Sequence, residues 1–168
     1  NWLIKRQIDP TTITEMKLYT HNEKLCFPYY LDGKVVNIKY RSKDKRFHQE
    51  KDAMKCLYNS DNLKKVWEEN PDAKKRVIFV EGEMDVLSLM QIGIYDVVSL
   101  PDGAPKTPKF DMKDKRFTAF EPTEWIWNAE EVILATDNDD AGKALRLELI
   151  HRFGRDVCKV VKFPTYRD

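Results

Sequence analysis

The chain has 168 residues, 42% of them hydrophobic and 34% charged, with a net charge of +1. That length and balance suit one globular domain, or one with an appendage, with a sizeable core. No apolar run reaches membrane-spanning length and no signal-peptide pattern opens the chain, so the reading excludes a membrane-spanning or secreted product.

Cys26, Cys56 and Cys158 are few and scattered. They form no disulfide framework and no Cys-x-x-Cys zinc pair, and each reads as a small buried hydrophobe. Beginning at Asn1, not Met, the chain reads as a piece cut from something longer. The near-neutral total hides an asymmetry. Residues 1–76 carry 17 Lys and Arg against 11 Asp and Glu, and residues 77–168 carry 12 against 17. A basic half joined to an acidic half suits a polyanion gripped by one side and cations held by the other. Charge alone does not separate this from ordinary solvated surface.

Asp9-Pro10 predicts a helix start, with Asp9 as the cap and Ile13, Met16 and Tyr19 as an apolar stripe. Residues 25–30 read as a strand, with Pro28 signalling an edge. Asp32-Gly33 is a hairpin turn signal, and residues 34–41 are the return strand. A third strand is expected over 45–49. Between Lys34 and Lys51 lie seven basic residues, with Tyr40 and Phe47 among them and only Asp44 and Glu50 in opposition. Basic residues interleaved with aromatics suit nucleic acid or nucleotide phosphates, but also an edge strand guarded by lysines. A helix is expected over 61–69, ended by Asn70-Pro71-Asp72. The polar stretch there places a boundary near residue 72, with a basic subdomain at 1–72 and a second domain at 73–168.

From residue 77 strands and helices alternate: strands at 77–80, 95–100, 132–136 and 157–163, helices at 83–91, 122–128 and 141–153. Residues 106–121 are charged and show no period. The order is that of an α/β fold, a parallel sheet with flanking helices, Rossmann-like, preceded by a small basic α+β subdomain. In such sheets ligands collect at the carboxyl ends of the strands. Glu81 ends the first strand and Asp137 and Asp139 end the third, so all three are expected at one edge. Gly82 is expected to let the backbone turn sharply after Glu81. Asp85, on the first helical turn, either joins the acids or complements the helix dipole. Asp140 reads as a helix cap. Carboxylates packed this closely repel unless cations neutralise them. Mg²⁺, or Mn²⁺, suits such oxygen ligands and commonly bridges to phosphates.

Glu81-Gly82-x-x-Asp85, followed some fifty residues later by Asp137-x-Asp139-x-Ala141-Gly142, resembles the Toprim domain of bacterial-type primases, topoisomerases and related nucleases. The resemblance implies that Glu81 is the general acid/base and that Asp137 and Asp139 bind the metal, with Asp85 as a further acidic member. Upstream, Phe27-Pro28, Asp32-Gly33, Lys39-Tyr40-Arg41, Lys45-Arg46-Phe47 and Leu57-Tyr58-Asn59 resemble, in order, the basic subdomain of primases. The likeness is strongest to bacteriophage primase–helicases and Twinkle-type organellar proteins, which also carry a stretch like Ser99-Leu100-Pro101-Asp102-Gly103-Ala104-Pro105.

The resemblance implies Mg-dependent synthesis of RNA primers from NTPs on a single-stranded DNA template. It makes Lys39, Arg41, Lys45, Lys55 and Lys106 candidate ligands for triphosphate or template, and Asp168 a possible additional acid. A fused or associated hexameric helicase and a zinc-binding module outside this chain are the expected partners. The compartment would be a bacterial cytoplasm, with a phage-encoded protein, or an organelle matrix. No phosphate-binding Gly-x-x-x-x-Gly-Lys-Ser/Thr loop is present, so this stretch is not the helicase motor. A metal-dependent nuclease and a non-catalytic DNA-binding module are the alternatives. The nuclease has no need of the basic subdomain, and the complete acidic set disfavours the module.

Overall fold

The computed structural model describes residues 2–164. Two short helices come first, α1 (Trp2–Lys5) and α2 (Pro10–Glu15). The Asp9 carboxylate accepts from the Thr12 N–H at 2.7 Å, and Pro10 opens α2, as its sequence requires. The expected stripe stops at Met16. Tyr19 is exposed and begins a strand that its sequence did not announce.

That strand, β1 (Tyr19–His21), belongs to an antiparallel sheet with β2 (Lys24–Leu31), β3 (Lys34–Arg41) and β4 (Phe47–Gln49), in the order β1-β2-β3-β4. Asp32 and Gly33 turn the β2–β3 hairpin with φ of 49° and 76°, the left-handed pair that a two-residue hairpin needs. Pro28 does not mark an edge strand, because β2 has a neighbour on each side. Its missing N–H is tolerated because β1 pairs only as far as Cys26, and β2 is open on that side from residue 27.

After α3 (Ser60–Glu69) the chain enters a parallel sheet, ordered β6-β5-β7-β8. Its strands are β5 (Arg76–Val80), β6 (Val97–Ser99), β7 (Glu131–Leu134) and β8 (Cys158–Val160). Helix α4 (Glu83–Met90) connects β5 to β6, and α5 (Asp140–Phe153) connects β7 to β8. The strands alternate between two cores. Val77, Phe79, Val132 and Leu134 pack with Leu57, Leu63, Phe120, Leu145 and Leu149. Ile78 and Val80 pack with Ile8, Phe27, Tyr29, Val86 and Leu87. Burial on both faces is why these strands read as continuous apolar runs. Both cores draw residues from either side of residue 72. The Tyr58 N–H also donates to the Ser99 carbonyl at 2.9 Å, so the chain before α3 adds to the β6 edge.

The charged insert, patternless in sequence, is ordered by two residues of α5. Glu148 is fully buried and accepts from the Phe110 N–H at 3.1 Å. The Arg152 guanidinium lies 3.9 Å from the Phe117 ring centroid and donates to the Asp111 carbonyl at 2.8 Å. A 3₁₀ segment, Lys115–Asn128, then runs into β7, kinked at Phe117 and Thr123. Phe117, Ala119 and Phe120 are core residues, so the helix expected at 122–128 is the second half of a longer element. Among the described residues no helix is long and apolar enough to cross a membrane.

A buried ion pair ties the two sheets together. Lys39 of β3 donates from Nζ to Glu83 Oε1 of α4 and to the Pro101 carbonyl, each at 2.8 Å. The Tyr29 hydroxyl of β2 donates to the same carboxylate oxygen. The two charged side chains are only 10% and 5% exposed. Replacing one partner leaves the other charge buried and unpaired, which typically costs about 3–5 kcal/mol. Lys39→Ala should therefore lower the unfolding free energy by roughly that amount in urea titrations. Lys39→Met combined with Glu83→Gln, which removes both charges and keeps an acceptor for Tyr29, should recover most of the loss.

Candidate active site

Glu81 and Asp137 are brought together by the register of two adjacent strands. Phe79 pairs with Leu134, and the Ala135 N–H donates to the Phe79 carbonyl at 2.9 Å. The acids that follow therefore leave the sheet side by side at its carboxyl edge. The Asp137 N–H donates to Glu81 Oε1 at 2.7 Å. Glu81 is half-buried, while Asp137 and Asp139 are exposed.

The surroundings push the Glu81 carboxyl above its ordinary value. Burial is the largest cause, and the charges of Asp137, Asp139 and Asp85 add to it, against the stabilising Asp137 N–H. Asp85 is raised as well, first by desolvation and then by Asp137 and Glu83. It also has a local structural task, since its Oδ2 accepts from the Gly82 N–H at 3.0 Å at the start of α4.

Two details of this edge differ from the sequence reading. Asp139, not Asp140, caps α5: its Oδ1 accepts from the Gly142 N–H at 2.8 Å, and Asp140 is the first helical residue with its side chain in solvent. One Asp139 oxygen is thus engaged in the cap. Gly82 has extended backbone with φ of −146°, which any residue adopts, and a Cβ there would meet only Asp85 Oδ2 at 3.8 Å. The glycine that the site requires is Gly142. A Cβ there would collide with Glu81 Oε1 and with the Asp137 carbonyl group, whose carbon would be 2.9 Å away.

Arg146, one turn further along α5, was not legible as a site residue. Its Nη2 donates to the Thr136 carbonyl at 3.2 Å and to the Asp137 carbonyl at 3.3 Å, holding the acidic loop from below. Glu83 was missed too, because a glutamate in a first helical turn reads as a surface acid. The only sequence signal for Arg146 is its spacing after Gly142, which places it over the loop on the same helix.

The five basic residues do not gather at one point. Lys39 borders a cleft of about 500 Å³ that Glu81, Asp85, Phe47 and Gly103 also line. Lys55 pairs with Asp102 at 2.6 Å, and Gln49 donates to the same carboxylate at 2.9 Å, so the Pro101–Gly103 loop is clamped beside that cleft. Arg41 and Lys45 line a different cavity, near α1. Lys106 is exposed on the loop beyond Pro105. Asp168 lies outside the described residues.

Among the described residues no three acids, histidines or cysteines form a preassembled chelate. Mg²⁺ does not need one, since it keeps several waters and takes one or two carboxylates with substrate phosphates. Glu81 with the Asp137–Asp139 loop offers that kind of donor set. Its mutual repulsion is what a divalent cation relieves.

The Toprim domain family matches residues 75–163. A curated "Primase homolog protein" from Arabidopsis thaliana is 38% identical over 149 residues, covering 83% of this chain and 41% of its own length. The Arabidopsis thaliana "Twinkle homolog protein, chloroplastic/mitochondrial" is 34% identical over 146 residues, covering 83% of this chain and 20% of its own length. The chain thus spans less than half the length of these relatives. The primase fragment of the bacteriophage T7 primase–helicase superposes with a TM-score of 0.69 at 26% identity, covering 96% of this chain and 64% of that one. The Aquifex aeolicus primase, with zinc-binding and RNA polymerase domains, superposes at 0.70 with 17% identity, covering 99% of this chain and 50% of that one, a likeness of fold.

Because the folded state raises Glu81 above an ordinary glutamate, it favours the protonated form. That contribution is present below the unfolded value, roughly pH 4.3, and is lost as pH rises through the folded value. Glu81→Gln, which keeps the acceptor for the Asp137 N–H, should therefore melt at a higher temperature than wild type at pH 7. The gap should close as the pH is lowered into the acid range in thermal scans.

Proposed function

The chain belongs to the Toprim family, and from that membership we propose that it is the catalytic core of a DNA primase, joining ribonucleotides into short primers on single-stranded DNA. One observation carries the reading: Glu81 and the Asp137–Asp139 loop leave adjacent strands at the same sheet edge, bonded to each other and beside a cleft that Lys39, Phe47 and the Pro101–Gly103 loop border. The named relatives, a primase homolog and a primase–helicase fragment, support the same class of reaction.

The residues divide the work. Glu81, held by the Asp137 N–H and pushed toward a higher pKa, is poised to take the proton of an attacking 3′-hydroxyl or to ligate metal. Asp137 and Asp139, with Asp85 as a further member, would hold Mg²⁺ or Mn²⁺. When bound, such a cation supplies charge neutralisation for the phosphoryl oxygens. Lys55 and Lys106, around and beyond the Pro101–Gly103 loop, would face the triphosphate, and Lys39, its ammonium bonded to Glu83 and the Pro101 carbonyl, would hold that loop in position for it. Arg41 and Lys45 would face the template. Most of the catalysis is then positioning and electrostatics, as in other phosphoryl transfers.

A zinc-binding module and a hexameric helicase, fused or associated, are the proposed partners. The length of the relatives beyond the matched stretch leaves room for them. An organelle matrix is the proposed compartment in a plant-like host, in keeping with the "chloroplastic/mitochondrial" relative, and a bacterial cytoplasm in a phage-like one.

A primer-synthesis assay with single-stranded DNA, NTPs and Mg²⁺ tests the reading. Wild type should make oligoribonucleotides, and Glu81→Gln should lose roughly a hundredfold or more. Asp139→Asn keeps an acceptor for the α5 cap while removing the charge, so it should lose activity without losing the fold. Synthesis that is absent in wild type, or unchanged in Glu81→Gln, would rule the proposal out. DNA cleavage abolished by Glu81→Gln, with no synthesis, would identify a nuclease instead.

A further inference from the structure

Arg146 stands beside the acidic edge and pairs with none of its carboxylates. Among the described residues its guanidinium makes no ion pair and bonds only to Thr136 and to the Asp137 backbone. Nη2 donates to the Thr136 carbonyl at 3.2 Å and to the Asp137 carbonyl at 3.3 Å, and Nε donates to the Thr136 hydroxyl at 3.3 Å. Thr136 is fully buried, and its hydroxyl donates in turn to the Gly142 carbonyl at 2.9 Å.

Thr136 and Asp137 lie between β7 and α5, in neither a strand nor a helix. Among the described residues no backbone N–H reaches either carbonyl, so the guanidinium is their donor. A backbone carbonyl turned away from water needs a donor, and one planar fork serves two consecutive residues. An ammonium group is a point charge on a flexible stem and lacks that geometry.

Asp137 is thereby held at both ends of its backbone. Its N–H donates to Glu81 Oε1 at 2.7 Å, and its carbonyl accepts from Arg146. The side chain is left free. It is exposed, and among the described residues its carboxylate accepts no hydrogen bond and makes no ion pair. A fixed main chain that carries an unpartnered carboxylate presents a ligand to something outside the chain.

Charge and geometry act in opposite directions here. As a positive charge, Arg146 opposes any cation that approaches the edge. As a fork, it places Asp137 for one, and Mg²⁺, which demands near-ideal octahedral geometry, is sensitive to that placement. Geometry prevails because the guanidinium is turned to the carbonyls and the carboxylates stand in water, which screens the repulsion.

We propose that Arg146 is a positioning residue of the cation site. It fixes the Thr136–Asp137 backbone so that the Asp137 carboxylate meets a divalent metal ion, and it does so by its fork and against its charge. The inference rests on the reading of the acidic edge as a cation site, and its test does not need primer synthesis.

Mn²⁺ binding to the chain is measured by electron paramagnetic resonance of the free ion, without nucleotide or DNA, on variants that circular dichroism shows to be folded. Asp137→Asn should lose most of the binding. Arg146→Lys, which keeps the charge and loses the fork, should weaken binding roughly tenfold. Arg146→Met, which loses both, should weaken it as well; if that variant does not fold, the lysine variant decides alone. Lysine binding as wild type does, with methionine binding more tightly, would leave the cation site in place but reduce Arg146 to a charge and overturn the inference. Unchanged affinity in both variants would overturn it too. Weakened binding in a chain that makes no primer would sustain the role of Arg146 and sink the primase reading. Wild type that binds no Mn²⁺ would remove the cation site and this inference together.

Discussion

Lys39 and Glu83 stand at the junction on which the rest of the molecule depends. Taking two charges out of water costs several kcal/mol for each ion, and close pairing offsets this only when the remaining donors and acceptors are satisfied. Here Tyr29 and the Pro101 carbonyl supply the extra bonds. Four segments therefore meet at one ion pair: β2, β3, the first turn of α4 and the loop after β6. Because Glu83 lies two residues from Glu81 and two from Asp85, fixing it fixes the start of α4 and the acids on either side. The basic β3 strand is joined to the acidic edge by a buried contact, not by surface attraction.

The acidic edge itself is held against its own repulsion. Glu81 and Asp85 are both raised by burial and by neighbouring carboxylates. Such a group is a cost in the free protein and an asset to a site that handles cations and polyanions. The counterweights are local. The Asp137 N–H is aimed at Glu81, Arg146 holds the carbonyls of Thr136 and Asp137, and Asp139 caps α5 through the Gly142 N–H. Gly142 completes the arrangement by leaving room for the Glu81 carboxylate.

How much of this was readable follows from the range of each interaction. The hairpin at Asp32-Gly33, the cap at Asp9 and the runs at β5 and β7 are local, and each was legible. So was the acid at each strand end, since a parallel sheet sends those ends to one edge. Strand β1 was not, because three exposed residues carry no alternation and pair only through the turn to β2. The 3₁₀ segment hid for a different reason. Its Phe117 and Phe120 sit among charges that Glu148 and Arg152 organise from α5, about thirty residues later in sequence. The cap was misplaced by one residue, since Asp139 and Asp140 are chemically the same and only the backbone at Asp139 is extended.

By itself the sequence determined the alternation of strands and helices, the family and the identity of the acids, because these rest on short-range pattern and on motif order. Tertiary structure decided what each charge does. Lys39 and Glu83, both unremarkable on a hydropathy profile, became a buried pair only when two sheets closed over them. Arg41, the last residue of β3, and Lys45, in the turn after it, parted from Lys39 because that end of the strand lies against Trp2 and Arg6, more than thirty residues upstream. Glu81 and the Asp137 loop, fifty-six residues apart, met through the register of β5 with β7, which no local pattern encodes.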